Sequence, residues 1–357
     1  MSLKIKSIKA ELVDLGITKP YTIAYKTIDR VENLFVKVKA ENGLIGLGTA
    51  NTSEMVMGEG NINALEQLSE ESLEPLTGKD LTNFHTVMDE IYQRFTSTGA
   101  RAALDIALHD LFTKFLGIPL VSFYGQKIHS LYTSVTIGIM DINETITEAR
   151  EYIRKGFKIL KVKLGKSVEE DIERLKELRA VIPSEIKIRI DANQGWTVNE
   201  TINFFQETKK LDIELIEQPL PQRSIDEMRA LPGELKALIA ADESLITPYD
   251  AFQLAKDPKA AGIYNIKLMK CGGITKAKEI SVIAENAGID LMWGCNDESR
   301  ISISAALHTA LSCPGTKYLD LDGSFDLEKD LVTGGFILKG GALSISGKPG
   351  LGIESIH

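Results

Sequence analysis

Five ionisable residues recur at one strand–helix interval along the chain, and this regularity constrains the fold more than any other feature. Each residue closes a short apolar run typical of a buried strand, and successive members are 25 to 28 positions apart. The stretches between the runs carry apolar residues at helical spacing. An iterated unit of this length predicts parallel βα units. The five residues are Lys163, Asp191, Glu217, Asp242 and Lys267.

The carboxyl ends of successive strands meet at one face of a βα barrel, where catalytic residues lie in such folds. A single Asp or Glu at a strand end is most often a helix cap or a solvated loop residue. Five ionisable residues in phase are harder to explain in this way, and buried lysines are costly unless they are paired or used. We therefore expect three carboxylates and two lysines to converge on one mouth.

The residue types at this mouth favour a hard cation and proton transfer. Three carboxylates without a strand-end His or Cys suit Mg²⁺. Removing a proton next to a carboxylate produces a dianionic enediolate, which a metal and neighbouring cations stabilise. Lys163 on the second barrel strand and Lys267 on the sixth would face each other across the barrel. Two such bases can invert a carbon centre, because one removes a proton and the other returns one to the opposite face.

Longer motifs around these residues resemble the enolase superfamily, in its muconate-lactonising subgroup. They are KVK (161–163), DANQGW (191–196), IEQP (216–219), ADES (241–244), NIKLMKCGG (265–273) and GCNDES (294–299). The segment DLD (320–322) is similar to the Asp-x-Asp motif of the dipeptide epimerases in that subgroup, and ARAALDIALHDL (100–111) is similar to the helix before its barrel. The likeness spans nearly the whole chain.

The resemblance implies an α/β fold, a (β/α)7β modified TIM barrel with an α+β capping domain. The expected division is a capping domain at 1–125, the barrel at 126–326 and a tail at 327–357 that returns to the capping domain. The pattern in the first part agrees, because residues 3–15, 31–40 and 43–50 alternate like strands. Asn-Gly at 42–43 is a strong hairpin signal, and 54–75 and 81–116 have a helical pattern.

The resemblance also assigns roles to the five strand-end residues. Asp191, Glu217 and Asp242 would be the Mg²⁺ ligands. Lys163 would be the base for the R face of the substrate carbon, and Lys267 the base for the S face.

Four further residues would support this centre. Lys161 would help to hold the substrate carboxylate, and Thr136 in the first barrel strand would lie near the substrate. Asn193 and Glu243 would contact the metal ligands from outside the coordination sphere.

Asp320 and Asp322 share one face at the end of the eighth strand. In the dipeptide epimerases the corresponding pair clasps the α-ammonium of the N-terminal residue, and paired carboxylates suit a group with three donors and a full charge. Read alone, the pair could equally be a polar turn before Gly323.

The segment at 294–299 and the loop between Pro20 and Val31 would contact the substrate side chains. Asp297 and Glu298 are candidate substrate-binding residues, although Asp297 could instead cap the next helix. Lys26 stands where dipeptide epimerases often carry Arg, and it could equally be a solvated cation. Asp297, together with Lys in place of Arg, favours dipeptides with cationic or apolar side chains over Ala-Glu.

The sequence therefore predicts a Mg²⁺-dependent dipeptide epimerase that inverts the α-carbon of the C-terminal residue. An o-succinylbenzoate synthase or a muconate cycloisomerase would share the lysines and ligands but bind no ammonium, so the Asp320 and Asp322 pair separates these alternatives. A Schiff-base aldolase would not need three carboxylates in phase. A barrel that only binds a ligand remains an alternative from another class, and retention of all five residues argues against it.

The charge balance limits the partners. The chain has 357 residues, a formal charge of −9 and a pI near 5.3, which argues against nucleic acid as a partner. No apolar run reaches the roughly 18 residues of a membrane span, and the start of the chain lacks the apolar core of a signal peptide. Three cysteines without metal spacing predict reduced thiols in the cytoplasm. We also expect a homo-oligomer.

Overall fold

The computed structural model describes residues 2–22, 27–165 and 167–357. In its first part the strands are β1 (Ile5–Asp14), β2 (Tyr21–Thr22), β3 (Thr27–Ile28), β4 (Glu32–Ala40) and β5 (Ile45–Ala50). The helices are α1 (Glu54–Met57), α2 (Asn61–Gln67), α3 (Glu70–Leu73), α4 (Phe84–Arg94), α5 (Thr98–Leu116) and α6 (Leu120–Tyr124), with a 3₁₀ turn at Glu74–Leu76.

An antiparallel sheet in the order β1–β4–β5 is the centre of this first part. The hairpin predicted at Asn42-Gly43 is confirmed, because β4 pairs with β5 around a turn in which Gly43 has φ +88°. Helix α5 approaches β5 so closely that a Cβ on Gly48 would lie 1.9 Å from the carbonyl oxygen of Ala103. The stretch expected to be a loop between Pro20 and Val31 instead contains a short ribbon, in which β2 pairs with β3.

A short strand β6 (Ser130–Tyr132) precedes the barrel. The barrel strands are β7 (Val135–Ile137), β8 (Ile159–Lys163), β9 (Lys187–Asp191), β10 (Ile213–Glu217), β11 (Ile239–Ala241), β12 (Ile263–Ile266), β13 (Asp290–Trp293) and β14 (Thr316–Leu319). The helices are α7 (Ile142–Arg154), α8 (Val168–Val181), α9 (Val198–Thr208), α10 (Ile225–Ala230), α11 (Gly233–Lys236), α12 (Pro248–Ala255), α13 (Leu268–Cys271), α14 (Ile274–Ala287) and α15 (Arg300–Leu311).

The eight strands pair in chain order from β7 to β14, and every pairing in this sheet is parallel. A parallel bridge between Thr133 and Leu319 joins the two edges of the sheet. At least one helix follows each of the first seven strands, and none lies between β14 and β15 (Val332–Gly334) in this fully described stretch. The predicted (β/α)7β barrel with a separate capping domain is therefore confirmed.

Local sequence signals set the helix starts. Helices α7 and α9 begin with capping boxes, in which Asp141 pairs with Glu144 and Thr197 pairs with Glu200. The helical spacing predicted between the strands that end at Lys163 and Asp191 is confirmed in α8, where Leu175 and Leu178 are buried.

The barrel interior is apolar at its centre and charged towards both ends. Leu215, Ala240, Ile263 and Met292 form a buried cluster that Tyr318 covers. Below it, the buried Arg189 donates to Glu214 over 2.6 Å. Because the charge is paired, the cost of burying this guanidinium is offset. The opposite end carries the lysines and carboxylates of the predicted mouth.

The tail adds β15, β16 (Phe336–Lys339), β17 (Ala342–Ile345) and β18 (Ile353–Ile356). Strand β15 pairs with β18, whereas β17 pairs with β6 directly before the barrel. The chain also meets the first part at Gly350, whose carbonyl accepts from Leu120 N at 2.9 Å. The tail thus contacts both parts, and the boundaries expected at 125 and 326 stay a prediction.

Two histidines in helical patterns are buried rather than exposed. His109 Nδ1 donates to the Asp105 carbonyl at 2.8 Å, and its Nε2 lies 2.7 Å from the Tyr124 hydroxyl. His308 Nδ1 accepts from Val121 N at 3.1 Å, and burial lowers the pKa of His308 to about 4.

In the part of the chain that the structure describes, no helix is long and apolar enough to cross a membrane.

Candidate active site

The five ionisable residues lie at the carboxyl ends of successive barrel strands, as predicted. Lys163, Asp191 and Glu217 are the last residues of β8, β9 and β10, and Asp242 and Lys267 directly follow β11 and β12. Strands β8 and β12 are four places apart in a closed sheet of eight. The two lysines therefore enter the barrel mouth from opposite sides.

The lysines and carboxylates form ion pairs with one another and are largely shielded from solvent. Lys163 Nζ lies 2.6 Å from Asp191 Oδ2, and Lys267 Nζ lies 2.8 Å from Asp242 Oδ2. Lys161 Nζ bridges Asp191 at 3.2 Å and Glu217 at 2.7 Å. The three carboxylates are almost inaccessible to solvent. Their charges are therefore offset mainly by the ammonium groups, not by water.

Burial and neighbouring charges shift the pKa values of the three carboxyl groups in opposite directions. Burial would raise the pKa of Asp191, but Lys163 and Lys161 lower it to about 2. The pKa of Glu217 is raised to about 8 by burial and by the Asp191 carboxylate. Asp242 is likewise buried, and the ammonium groups of Lys267 and Lys270 hold its pKa below the usual range.

The turn after β9 has an unusual backbone that brings Asn193 to the site. Asn193 has φ +45° and Gln194 has φ +66°, a conformation that costs free energy in non-glycine residues and often marks functional sites. Asn193 N donates to Asp191 Oδ1 at 2.9 Å. A Cβ on Gly195 would lie 2.3 Å from the carbonyl oxygen of Gly165, so only glycine lets the loops after β8 and β9 pack here.

The donor set of Asp191, Glu217 and Asp242 fits Mg²⁺. All three donors are hard carboxylates, and Glu217 Oε2 is buried with the Lys161 ammonium, 2.7 Å away, as its partner. Within the described ranges no three His, Cys, Asp or Glu side chains are grouped closely enough to enclose a cation. The lysine ammonium groups explain the absence of such a group, because they contact the carboxylate oxygens that would bind the ion. Binding of the ion requires these lysine side chains to turn away.

Glu243 lies next to this centre as predicted. It is buried, its pKa is raised to about 7 by burial and by Asp242, and no group in the described ranges donates to its Oε2. It also lines a cavity that opens over the barrel mouth.

Asp320 and Asp322 lie together at the mouth but have different surroundings. Asp320 Oδ2 lies 2.7 Å from Lys161 Nζ, and Asp320 Oδ1 accepts from Ser134 Oγ at 2.7 Å. Asp322 Oδ2 accepts from Thr136 N at 2.7 Å. Burial and Asp320 raise the pKa of Asp322 to about 7. An extra positive charge here would relieve the repulsion between the two carboxylates.

Asp297 and Glu298 also have different surroundings, because only Asp297 lies at the cavity over the barrel mouth. Asp297 lines the cavity, and its carboxylate accepts from the hydroxyl of Tyr21 at 2.9 Å. The alternative that Asp297 caps the next helix is wrong, because Ser299 is the N-cap of α15. Glu298 is buried, accepts from Asn296 N at 2.8 Å and is not part of the cavity wall, so the structure gives no support for direct substrate contact. The prediction for Lys26 lies outside the described residues.

Two residues at the centre were missed from the sequence. Lys270 is buried, and its Nζ contacts both the carboxylate and the carbonyl of Asp242. Asn265 Nδ2 donates to Glu217 Oε1 at 2.9 Å. A signal existed for Lys270, because it is a charged residue in an otherwise apolar run directly after a strand, one helical turn beyond Lys267.

A cavity of about 700 Å³ opens over this centre, between the barrel mouth and the first part of the chain. Both Lys163 and Lys267 line it, as do Tyr21 and Asn51 of the first part. Of the described residues in its wall, nine are acidic and six are basic, so the wall is net negative. The acidic ones are Glu32, Glu54, Glu148, Asp242, Glu243, Asp297, Asp320, Asp322 and Asp326.

Family comparisons agree with this architecture. Residues 7–125 match the mandelate racemase / muconate lactonizing enzyme N-terminal domain, and residues 144–356 match the enolase C-terminal domain-like family.

Curated relatives align over almost the full length. The L-Lys-D/L-Arg epimerase of Methylococcus capsulatus is 48% identical over 98% of this chain and 99% of its own. The L-Lys-D/L-Arg epimerase of Desulforapulum autotrophicum is 49% identical over 99% of this chain and 100% of its own.

A solved structure is similar to the same extent. The dipeptide epimerase from Methylococcus capsulatus, complexed with Mg and the dipeptide L-Arg-D-Lys, superposes with a TM-score of 0.97 and 48% identity, covering 99% of this chain and 100% of that one. The full-length matches and the barrel with its capping domain agree with one another. The chain therefore belongs to the mandelate racemase and muconate lactonizing enzyme family of the enolase superfamily.

Proposed function

We propose that the protein is a Mg²⁺-dependent dipeptide epimerase, an isomerase that inverts the α-carbon of the C-terminal residue. The observation that carries the proposal is the pair Lys163 and Lys267, which enter one cavity from opposite sides beside three buried carboxylates. Relatives of 48% and 49% identity are named L-Lys-D/L-Arg epimerases, and a solved structure of 48% identity is named a dipeptide epimerase, which supports the same activity.

In this proposal Asp191, Glu217 and Asp242 hold the ion. Bound Mg²⁺ supplies positive charge beside the substrate carboxylate, which makes the α-proton more acidic. Lys161, two residues before Lys163 on β8, adds a further positive charge that would help to hold the substrate carboxylate. Asn193, Glu243 and the missed pair of Lys270 and Asn265 keep the carboxylates oriented.

Proton transfer is the work of the two lysines. One lysine, as the neutral amine, takes the α-proton from one face of the carbon and becomes an ammonium. The other, already an ammonium, gives a proton to the opposite face and becomes the amine. The net result is inversion without any change in composition.

The dipeptide ammonium is proposed to bind at Asp320 and Asp322, with Thr136 beside them. Burial and repulsion from Asp320 raise the pKa of Asp322 to about 7, and a substrate ammonium would remove that repulsion. This contact favours the epimerase over an o-succinylbenzoate synthase or a muconate cycloisomerase, whose substrates carry no ammonium.

We propose a preference for dipeptides with cationic side chains. The cavity wall has more acidic than basic residues, and Asp297 places a carboxylate in it. A charge-assisted contact contributes roughly 1.5–3 kcal/mol. The names of the two curated relatives, L-Lys-D/L-Arg epimerases, support this preference.

The test is deuterium exchange at the α-carbon, followed by mass spectrometry and chiral analysis, with Lys-Arg, Ala-Glu and Ala-Phe as substrates in D₂O. We expect exchange with inversion, and the highest kcat/KM for Lys-Arg. If no dipeptide exchanges its α-proton, the proposed epimerase activity is wrong. A clear preference for Ala-Glu would contradict only the proposed cationic specificity.

We further propose a cytoplasmic homo-oligomer with the domain division at about 125 and 326. Free Cys271, Cys295 and Cys313 support a reducing compartment. Exposed Tyr249 and Phe252 on α12 support contact between copies. Light scattering after size exclusion tests the assembly, and limited proteolysis tests the division.

A further inference from the structure

Asp297 belongs to a barrel loop, but the first part of the chain holds its backbone. Its carbonyl oxygen accepts two side-chain amide hydrogen bonds, from Asn51 Nδ2 at 2.7 Å and from Asn33 Nδ2 at 3.1 Å. Asn33 lies on β4 and Asn51 directly follows β5. A carbonyl oxygen has two lone pairs, so both are engaged by the two asparagines.

Further hydrogen bonds hold the two asparagine residues in place. Asn33 Oδ1 accepts from Ser299 N at 2.9 Å, so its amide spans the loop on both sides of Glu298. Asn51 Oδ1 accepts from Asn61 Nδ2 at 2.9 Å, and the carbonyl of Asn51 accepts from Asn296 Nδ2 at 2.7 Å. Asn33 is fully buried. Each amide therefore has a defined orientation and cannot turn without losing another hydrogen bond.

The loop that carries Asp297 has no regular structure between β13 and α15. In such a loop the backbone determines where a side chain begins, so the position at which the Asp297 carbonyl is held helps to set the direction of its carboxylate, together with the Tyr21 hydroxyl. Rotation of the peptide would move the carboxylate along the cavity wall, and a displacement of about 1 Å can cost a large part of a charge-assisted contact.

We propose that Asn33 and Asn51 are positioning residues for substrate specificity: they fix the Asp297 peptide so that its carboxylate meets the cationic side chain of the dipeptide. This inference rests on the proposed function. It makes the capping part of the chain a determinant of specificity through the Asp297 peptide that both amides hold.

The experiment is a double-mutant cycle on the ratio of kcat/KM for Lys-Arg to kcat/KM for Ala-Phe. The variants are Asn51→Ala, Asp297→Ala and the double variant, with Asn42→Ala in the exposed β4–β5 turn as the matched control. Asn51→Gln, which keeps the amide and displaces it by one methylene, serves if Asn51→Ala does not fold. Thermal unfolding confirms the fold of each variant.

We expect Asn51→Ala to lower the ratio about fivefold, the size of one ordinary hydrogen bond, mainly through KM for Lys-Arg. In the Asp297→Ala background the same change should leave the ratio unaltered, since the carboxylate that it positions is absent. Asn42→Ala should leave the ratio at the wild-type value.

Equal losses for both dipeptides would assign Asn51 a merely structural role and overturn the inference. A lowered ratio that persists in the Asp297→Ala background would overturn it as well. If the wild-type enzyme itself fails to epimerise either dipeptide, the proposed function fails first, and this outcome is visible before any variant is measured.

Discussion

The hydroxyl of Tyr21 donates a 2.9 Å hydrogen bond to Asp297 Oδ2, joining residues 276 positions apart in the sequence. Tyr21 belongs to the short β2–β3 ribbon, and Asp297 belongs to the loop after β13. Burial and the Asp297 carboxylate raise the pKa of Tyr21. The phenol therefore remains a donor over the whole working pH range and holds the carboxylate at the cavity wall.

Replacing Tyr21 by Phe keeps the ring and removes only the donor. We expect kcat/KM for Lys-Arg to fall about tenfold, because a hydrogen bond to a charged acceptor contributes roughly 1.5–3 kcal/mol and part is regained from water. The value for Ala-Phe should change less than threefold. Tyr132→Phe at an exposed position on β6 is the matched control. A similar loss for both dipeptides would show that Tyr21 supports the fold of the ribbon instead.

Removal of a carboxylate charge at Glu217 should abolish the metal response. Glu217→Gln should lower kcat by more than about a hundredfold, since loss of a contact outside the coordination sphere alone costs 10- to 100-fold in metal sites. Mg²⁺ should raise the melting temperature of the wild type and leave that of the variant unchanged. Glu207→Gln on α9 is the control. Full turnover after exhaustive chelation would contradict this assignment of the ligands.

The two lysines should have separable roles. Lys163→Ala should stop exchange of the α-proton in one stereoisomer of the dipeptide while exchange in the other remains detectable, because Lys267 still faces that proton. Lys267→Ala should show the opposite pattern, and neither variant should epimerise. Lys209→Ala on the surface serves as the control. Near-normal interconversion of the isomers by either lysine variant is the result that excludes two-base catalysis.

The ammonium of the dipeptide should be required at Asp322. N-acetylation of the substrate should lower kcat/KM by on the order of a hundredfold, because a charge-assisted contact is lost and a buried carboxylate is left without its partner. Asp322→Asn should reduce the rate with the free dipeptide and have little further effect on the acetylated one. Equal rates with free and acetylated dipeptides would instead favour the synthase or lactonising reactions.

Stability should fall in acid because of His308. Its pKa is lowered to about 4 in the folded protein by burial, so the unfolded state, with an ordinary value near 6.5, binds the proton more readily. The contribution is complete above about pH 6.5 and is lost progressively down to about pH 4, at most roughly 3 kcal/mol. His308→Asn should remove this part of the pH dependence in urea unfolding, whereas His85→Asn at an exposed position should retain it.

Much of the architecture could be predicted because strand and helix signals are local. The apolar runs ending at Asp191 and Glu217 became adjacent parallel strands in the expected order, and a barrel places the ends of such strands at one mouth. The ribbon at β2–β3 could not be predicted, since two-residue strands have no period to detect. The burial of His308 likewise depends on α6 packing against α15, which no local pattern encodes.

The sequence by itself determined the strand ends, the residue types at the mouth and the family, because periodicity and motifs are properties of neighbouring residues. Tertiary structure alone decided which polar groups meet across long separations. Lys270 reaches Asp242 only because β12, which α13 directly follows, pairs with β11. Asp297 is held by Tyr21, Asn33 and Asn51 only because the capping part lies over the barrel. Hydrogen bonds depend on distance and angle, and chain order fixes neither for residues that far apart.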